Sequence, residues 1–220
     1  MKRVRLIRHA QSAANAGLAT TAPDSIPLTD KGQLQARALA DSITCTPDLI
    51  ISSPFDRAVA TALPTARRFP HAPIELWPVE EFTYLSPKRF AGTTQAERKP
   101  HAERYWENGN TEIVDGPGAE SWNDLLGRAD AMLAKLAGHD AQNILAFSHG
   151  QFIRATAWLI KHGSQARSHD LMREFRAVDV REPFTNCWSY QLVLNDGRWT
   201  VECQIDSSGP EKFIDEFCTK

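Results

Sequence analysis

Val4-Arg5-Leu6-Ile7-Arg8-His9-Ala10-Gln11-Ser12 is a short apolar strand that runs directly into an Arg-His pair, with small and polar residues behind it. A strand over Val4 to Ile7 delivers a fixed cation and an imidazole to its carboxyl end, where open α/β sheets bind ligands. Arg8 is permanently charged and presents a donor fork suited to phosphate or carboxylate. His9 can serve near physiological pH as a neutral nucleophile or a base. Together they point to an anionic substrate.

The same construction recurs twice. A strand at Leu49 to Ser52 leads to Ser53, Pro54 and, one helical turn later, Arg57. A strand at Asn143 to Phe147 leads to Ser148, His149 and Gly150. If the three strands are parallel, their carboxyl ends share one edge of a sheet, and two histidines and two arginines meet there. Taken singly, Arg57 reads as a surface helix residue and His149 as a core or capping histidine; occurrence at three equivalent places shifts both toward a site. Helix starts after Pro54 and Gly150 add N–H donors and positive dipole ends that favour phosphate. Gly150 is expected to let the backbone approach the ligand closely.

Strand and helix alternate along most of the chain, which predicts a three-layer α/β fold: a mostly parallel central sheet with helices on both faces. Thr29 caps a helix to about Ser42 whose apolar side carries Leu34, Ala38 and Leu39. Phe55 to Phe69 supplies a second helix, in which Pro64 predicts a kink or an early end. Ser121 or Glu120 opens a helix to about Leu136, with Trp122, Leu125, Leu126, Ala129, Leu133 and Leu136 at helical spacing. Another runs from Gln151 to about Lys161. Cys187 to Leu194 and Trp199 to Ile205 flank Asn195-Asp196-Gly197-Arg198, a hairpin signal. With Asp196 and Gly197 as the turn, Cys187 faces Asp206 and Cys203 faces Tyr190, which argues against a Cys187–Cys203 disulfide. Residues 70–118, rich in proline, aromatic and basic residues, read as a partly helical insertion or lid within a single domain spanning 1–220.

Charges nearly balance, 25 Lys plus Arg against 27 Asp plus Glu, so no global field calls for nucleic acid or an anionic membrane. The start lacks the apolar stretch of a signal peptide and no run has the length of a membrane span, so a soluble, cytoplasmic protein is expected. Cys45, Cys187, Cys203 and Cys218 are far apart and read as reduced thiols. The seven histidines show no metal-ligand spacing. Neither a metal nor another cofactor is implied.

Leu-Ile-Arg-His-Ala-Gln-Ser, Asn15, Ser-Ser-Pro-Phe-Asp-Arg-Ala-Val-Ala-Thr-Ala at 52–62, Glu120-Ser121 and Phe-Ser-His-Gly at 147–150 together resemble the histidine phosphatase superfamily, with its phosphoglycerate-mutase-like fold. The family usually has glycine after the Arg-His pair; Ala10 stands there, and is expected to tighten the space beside the phosphate slightly. The resemblance implies a metal-independent phosphoric monoester hydrolase of the histidine (acid) type. His9 is then the nucleophile that forms a phosphohistidine, and Arg8, Arg57 and His149 line the transferred group. Asn15 matches a phosphate-holding position, and Gln11 and Ser12 are within reach. The proton for the leaving oxygen comes from Glu80 or Glu81, and the family pattern favours Glu81. Phosphate charge close by raises the pKa of such a carboxyl.

Within the lid, Tyr84, Phe90 and Tyr105 accompany Lys88, Arg89, Arg98, Lys99 and Arg104. They can form a substrate pocket, or the aromatics can pack the insertion while the cations face water; the second is preferred. Arg98-Lys99 resembles a paired-basic element of mutases, but the loop after Asn15 lacks the mutase pattern. The expected function is therefore hydrolysis of a small phosphorylated metabolite. A phosphoglycerate-type mutase is the alternative, and a non-catalytic phosphate-ester binding module a further one. Oligomeric state is not legible.

Overall fold

The structure, a computed structural model, describes residues 1–205. Six strands form one sheet in the order β3-β2-β4-β1-β5-β6. These are β1 (Lys2–Arg8), β2 (Leu49–Ser52), β3 (Ile74–Leu76), β4 (Asn143–Ser148), β5 (Ser189–Asn195) and β6 (Arg198–Ile205). The first four strands in chain order are parallel, and β5 and β6 add an antiparallel hairpin beside β1. The sheet is thus mixed, with the expected parallel half.

Alternation along the central strands buries both faces. Leu6, Ile51 and Ala146 enter the larger core, with Trp122, Phe152, Trp158 and Phe175. Their chain neighbours Ile7, Ile50 and Phe147 enter a smaller one with Leu39 and Ala62. The larger core lies under α4 (Trp122–Gly138), α5 (Gly150–His162) and α6 (His169–Arg181); the smaller lies under α1 (Asp30–Ser42) and α2 (Asp56–Arg68).

Thr29 caps α1 by accepting from the Gly32 N–H, and Ser121 caps α4 in a reciprocal pair with Asp124. The buried stripe of α1 differs from the expected one. Leu34 is 64% exposed and Ala38 is exposed, whereas Gly32, Ala36, Leu39 and Ala40 are buried. The reason is a close approach: a Cβ on Gly32 would lie 2.1 Å from the Gln11 carbonyl oxygen, so the glycine, not a leucine, marks the contact face. Likewise α2 does not end at Pro64 but runs to Arg68, with Ala58, Thr61, Ala62 and Thr65 buried along it.

Residues 70–118 hold β3 and α3 (Gln95–Asn108), which opens on a Thr94–Glu97 capping box and ends at Gly109 with φ +63°. A short 3₁₀ helix (Gly163–Arg167) and α6 fill the stretch before the hairpin. Neither was expected, because α6 buries only Met172, Phe175 and Val178. In the hairpin, Asp196 and Gly197 both take positive φ, as the tight turn requires. A register shift beside Gln191 and Leu192 then places Cys203 opposite Gln191 rather than Tyr190. The expected Cys187–Asp206 pairing, like Cys218, falls outside the described residues. No helix among the described residues is long and apolar enough to cross a membrane.

Candidate active site

The register of the three central strands brings their ends together. Ser52 pairs with Phe147 and Arg8 with Ser148, and the next residues continue the ladder: Ser53 N–H donates to the Phe147 carbonyl and His9 N–H to the Ser148 carbonyl, each at 2.9 Å. His9, Ser53 and His149 therefore leave the sheet side by side. The His9 and His149 ring centroids are 5.1 Å apart, and both residues are buried.

The hydrogen bonds of His9 fix its tautomer. Its Nδ1 lies 2.7 Å from the Ala10 carbonyl oxygen, which can only accept, so Nδ1 carries the proton. Its Nε2 receives the Arg57 Nε–H at 3.2 Å and therefore presents a lone pair. Burial, then the charges of Arg57 and Arg8, hold the His9 pKa well below that of a free imidazole. The result is a neutral ring with one nitrogen aimed at a buried guanidinium. Arg57 is lowered to about 10 by burial and remains a cation, also donating to the Pro23 carbonyl.

His149 Nε2 sits 2.9 Å from Ser53 Oγ, while its Nδ1 is buried without a hydrogen-bond partner among the described residues. Burial is the main cause of its depressed pKa, with Arg57 next. Arg8 donates to the Phe184 carbonyl, and its Nε is likewise buried and unpaired. Gly150 borders this arginine: an added Cβ would meet Arg8 Nε at 3.5 Å, an ordinary contact.

Glu81, not Glu80, lies beside the cations. Its Oε1 accepts the backbone N–H groups of Phe82 (3.1 Å), Gln151 (3.0 Å) and Phe152 (3.3 Å). The donors expected at the start of α5 are therefore occupied by this carboxylate, and at α2 the Asp56 N–H is taken by the Asp24 carbonyl. Burial raises the Glu81 pKa, opposed by Arg57 and Arg8. Glu80 instead pairs with Arg128 at 3.3 Å, which also holds Glu120 at 2.7 Å. Since Glu120 accepts from the Thr83 N–H, this triad braces the segment that carries Glu81.

Asn15 joins the same edge through its Oδ1, which accepts from Ser12 N–H (3.2 Å), Ser12 Oγ (3.1 Å) and Asn186 Nδ2 (3.1 Å). Asn186 also donates to the His9 carbonyl at 2.9 Å. Gln11 turns away, its Oε1 accepting from Thr29 Oγ1 at the start of α1. The Ala10 methyl packs into the smaller core, so it does not crowd the phosphate side as expected. The Ala10 N–H donates to Thr61 Oγ1, which itself donates to the Arg57 carbonyl.

A cavity of about 580 Å³ opens from Arg57, Glu81 and Gln151 outward to Tyr84, Arg98, Lys99 and Arg176. The lid residues divide between the two sequence readings. Tyr84, Phe90, Arg98 and Lys99 line the cavity. Tyr105 packs with Phe82, Tyr84 and Trp106, Arg89 pairs with Asp115, and Arg104 meets His101.

Four residues of this neighbourhood escape sequence reasoning: Thr61, Asn186, Arg176 and Asp179. Thr61 had a usable signal, standing one turn beyond Arg57 on the same helix face. Asn186 has none, and Arg176 and Asp179 lie on the unexpected α6.

A family profile described as the histidine phosphatase superfamily (branch 1) matches residues 4–204. No curated sequence relative matches the chain. Among solved structures, an alpha-ribazole phosphatase from Shigella flexneri is similar, with TM-score 0.72 and 21% identity over 96% of this chain and 100% of that one. Phosphoserine phosphatase from Entamoeba histolytica gives TM-score 0.72 and 20% identity over 94% and 98%. A mycobacterial glucosyl-3-phosphoglycerate phosphatase gives 0.69 and 24% over 91% and 96%. At these identities the likeness establishes the fold.

Proposed function

Because this chain belongs to branch 1 of the histidine phosphatase superfamily, we propose that it is a metal-independent phosphomonoester hydrolase of the acid type, acting through a phosphohistidine on a small phosphorylated metabolite. The observation that carries this reading is the neutral His9 ring, protonated at Nδ1, with Nε2 held 3.2 Å from the Arg57 Nε. In the first step Nε2 attacks phosphorus and the ester P–O bond breaks, splitting one hard displacement into two easier ones.

Arg8, Arg57 and His149 spread the charge of the equatorial oxygens, the main task in phosphoryl transfer. The buried, unpartnered Arg8 Nε and His149 Nδ1 suit that role, since phosphoryl oxygens supply the missing partners. Asn15, its Oδ1 already occupied, has its amide nitrogen for the same group. Glu81 has Oε1 engaged by three N–H groups, which assigns its proton to Oε2. That proton goes to the leaving alkoxide. In the second step the carboxylate takes a proton from water, whose oxygen attacks phosphorus. The P–N bond breaks, and inorganic phosphate and neutral His9 are restored.

The test is phosphate release from sugar phosphates, nucleotides, phosphoglycerates and an aryl phosphate with chelator present, comparing wild type with His9→Ala. Turnover that survives chelator and vanishes in the variant supports the proposal, as does an acid-labile phosphoenzyme. Activity that depends on a bisphosphoglycerate primer identifies a mutase instead, and tight ester binding without turnover a binding module.

A further inference from the structure

Ser53 follows β2 and His149 follows β4, and both are fully buried. The backbone of Ser53 is committed on both sides: its N–H donates to the Phe147 carbonyl at 2.9 Å, and its carbonyl accepts from Ser52 Oγ at 2.8 Å. The hydroxyl therefore starts from a fixed point. Ser53 Oγ lies 2.9 Å from His149 Nε2 and accepts the Phe55 N–H at 3.3 Å. The imidazole also packs against the rings of His9 and Phe55, with centroids at 5.1 and 5.3 Å, which holds its plane.

Protons can be placed on this pair in two ways. Burial, and then the Arg57 charge, keep His149 neutral, so it has one N–H and one lone pair; a serine hydroxyl has one hydrogen and two lone pairs. If Nε2 carried the proton, it and the Phe55 N–H would fill both lone pairs of Ser53 Oγ. The Ser53 hydrogen would then lack an acceptor among the described residues, and Nδ1 would hold an unmet lone pair, leaving two buried groups unsatisfied. If Nε2 carries the lone pair, the Ser53 hydroxyl donates to it and only the Nδ1–H is left over. Unmet buried polar groups are costly, so the second arrangement wins.

Resting on the phosphatase reading for the identity of the ligand, we propose that Ser53 is a positioning residue: its hydroxyl donates to His149 Nε2, holds the ring in the Nδ1–H tautomer, and so offers the transferred phosphoryl group a neutral N–H donor. His149 gives up and takes no proton in either step. The two histidines then present opposite chemistry to phosphorus and its oxygens. His9 offers the Nε2 lone pair that attacks, and His149 an N–H already in place when charge develops on the equatorial oxygens.

The experiment is long-range nitrogen–proton correlation NMR on the full chain labelled in its histidine rings, at neutral pH, with the His149 signals assigned by their loss in His149→Gln. The expected wild-type ring is protonated at Nδ1 and bare at Nε2, and saturating orthovanadate shifts the Nδ1 proton. Ser53→Ala mixes or reverses the tautomers, whereas Ser53→Thr, which keeps the hydroxyl, restores the wild-type pattern. On an aryl phosphate Ser53→Ala lowers kcat about 10- to 100-fold with little change in KM, and in a His149→Gln background it costs less than about twofold more. A wild-type ring protonated at Nε2 overturns the inference. So does a Ser53→Ala ring spectrum identical to wild type, a Ser53→Ala loss as large in the His149→Gln background as alone, or an Nδ1 proton that bound orthovanadate leaves unmoved. Melting curves check that the variants fold; if Ser53→Ala does not, the wild-type tautomer and its response to orthovanadate decide. If no ester is turned over and no phosphoenzyme forms, the hydrolase reading fails on its own, and the ring spectra still decide what Ser53 does to His149.

Discussion

Replacing Glu81 by Gln separates proton transfer from structure. Glutamine keeps an Oε1 acceptor for the N–H groups of Phe82, Gln151 and Phe152, so the start of α5 stays capped, but it has no proton to give. Loss of a general acid costs about 10²- to 10⁴-fold in rate, or about 3–5 kcal/mol of barrier. That loss is expected in kcat/KM for an alkyl ester such as glycerol phosphate, whose leaving oxygen needs the proton. For an aryl ester with a weakly basic leaving group, kcat/KM falls about tenfold or less. Its kcat still drops, because the second step needs Glu81 as base, and phosphoenzyme accumulates. An independent readout comes from stability. The folded-state pKa of Glu81 is raised, chiefly by burial, so the wild type loses stability as pH rises from the free-carboxyl value of 4.5 through the folded pKa. The variant lacks this loss, and its melting temperature relative to wild type climbs over that window. Equal losses of kcat/KM on alkyl and aryl esters would refute the acid role, as would none on either.

Three further outcomes follow from the same geometry. His9 has a depressed folded pKa, so its contribution is complete above about 6.5 and is lost as pH falls and the unfolded chain takes up a proton. His9→Gln should flatten the stability–pH slope between about pH 6.5 and 5 by up to about 1.4 kcal/mol per unit; denaturant titrations giving parallel slopes contradict this. Arg154→Met strips the buried cation from Asp179 and the Glu182 carbonyl and should destabilise the fold by about 3 kcal/mol, read by urea unfolding. Asn186→Ala removes the donor to the His9 carbonyl and to Asn15, and should lower kcat/KM about tenfold with little change in melting; an unchanged kcat/KM would remove Asn186 from the site.

Much of the scaffold is legible residue by residue. The apolar runs ending at Ile7, Ser52 and Phe147 are buried on both faces, so they needed no alternation to be recognised, and they are the strands that carry the site. Thr29 and Ser121 announce helices because capping is local chemistry. The misreadings share a cause, since each turns on a contact between segments distant in sequence. Leu34 is a good apolar residue on the wrong side of a helix that Gly32 draws against Gln11. Pro64 is accommodated in a helix held by its buried stripe. The bulge that shifts Cys203 leaves no mark in the Asp-Gly turn that starts the hairpin.

For the site, residue type and position after a strand were enough to single out Arg8, His9, Arg57 and His149, because a parallel sheet turns three separated motifs into one edge. What only the tertiary structure decided is charge and proton placement: that His9 holds its proton at Nδ1, that Glu80 is drawn to Arg128 while Glu81, which the family pattern already favours, accepts the first N–H groups of α5, and that Asp179 is shared by Arg154 and Arg176. Sequence order carries local propensity and pattern. Desolvation and hydrogen bonding among groups 48 to 177 residues apart, such as His9 with Arg57 and Asn186, arise only when the chain has closed around them.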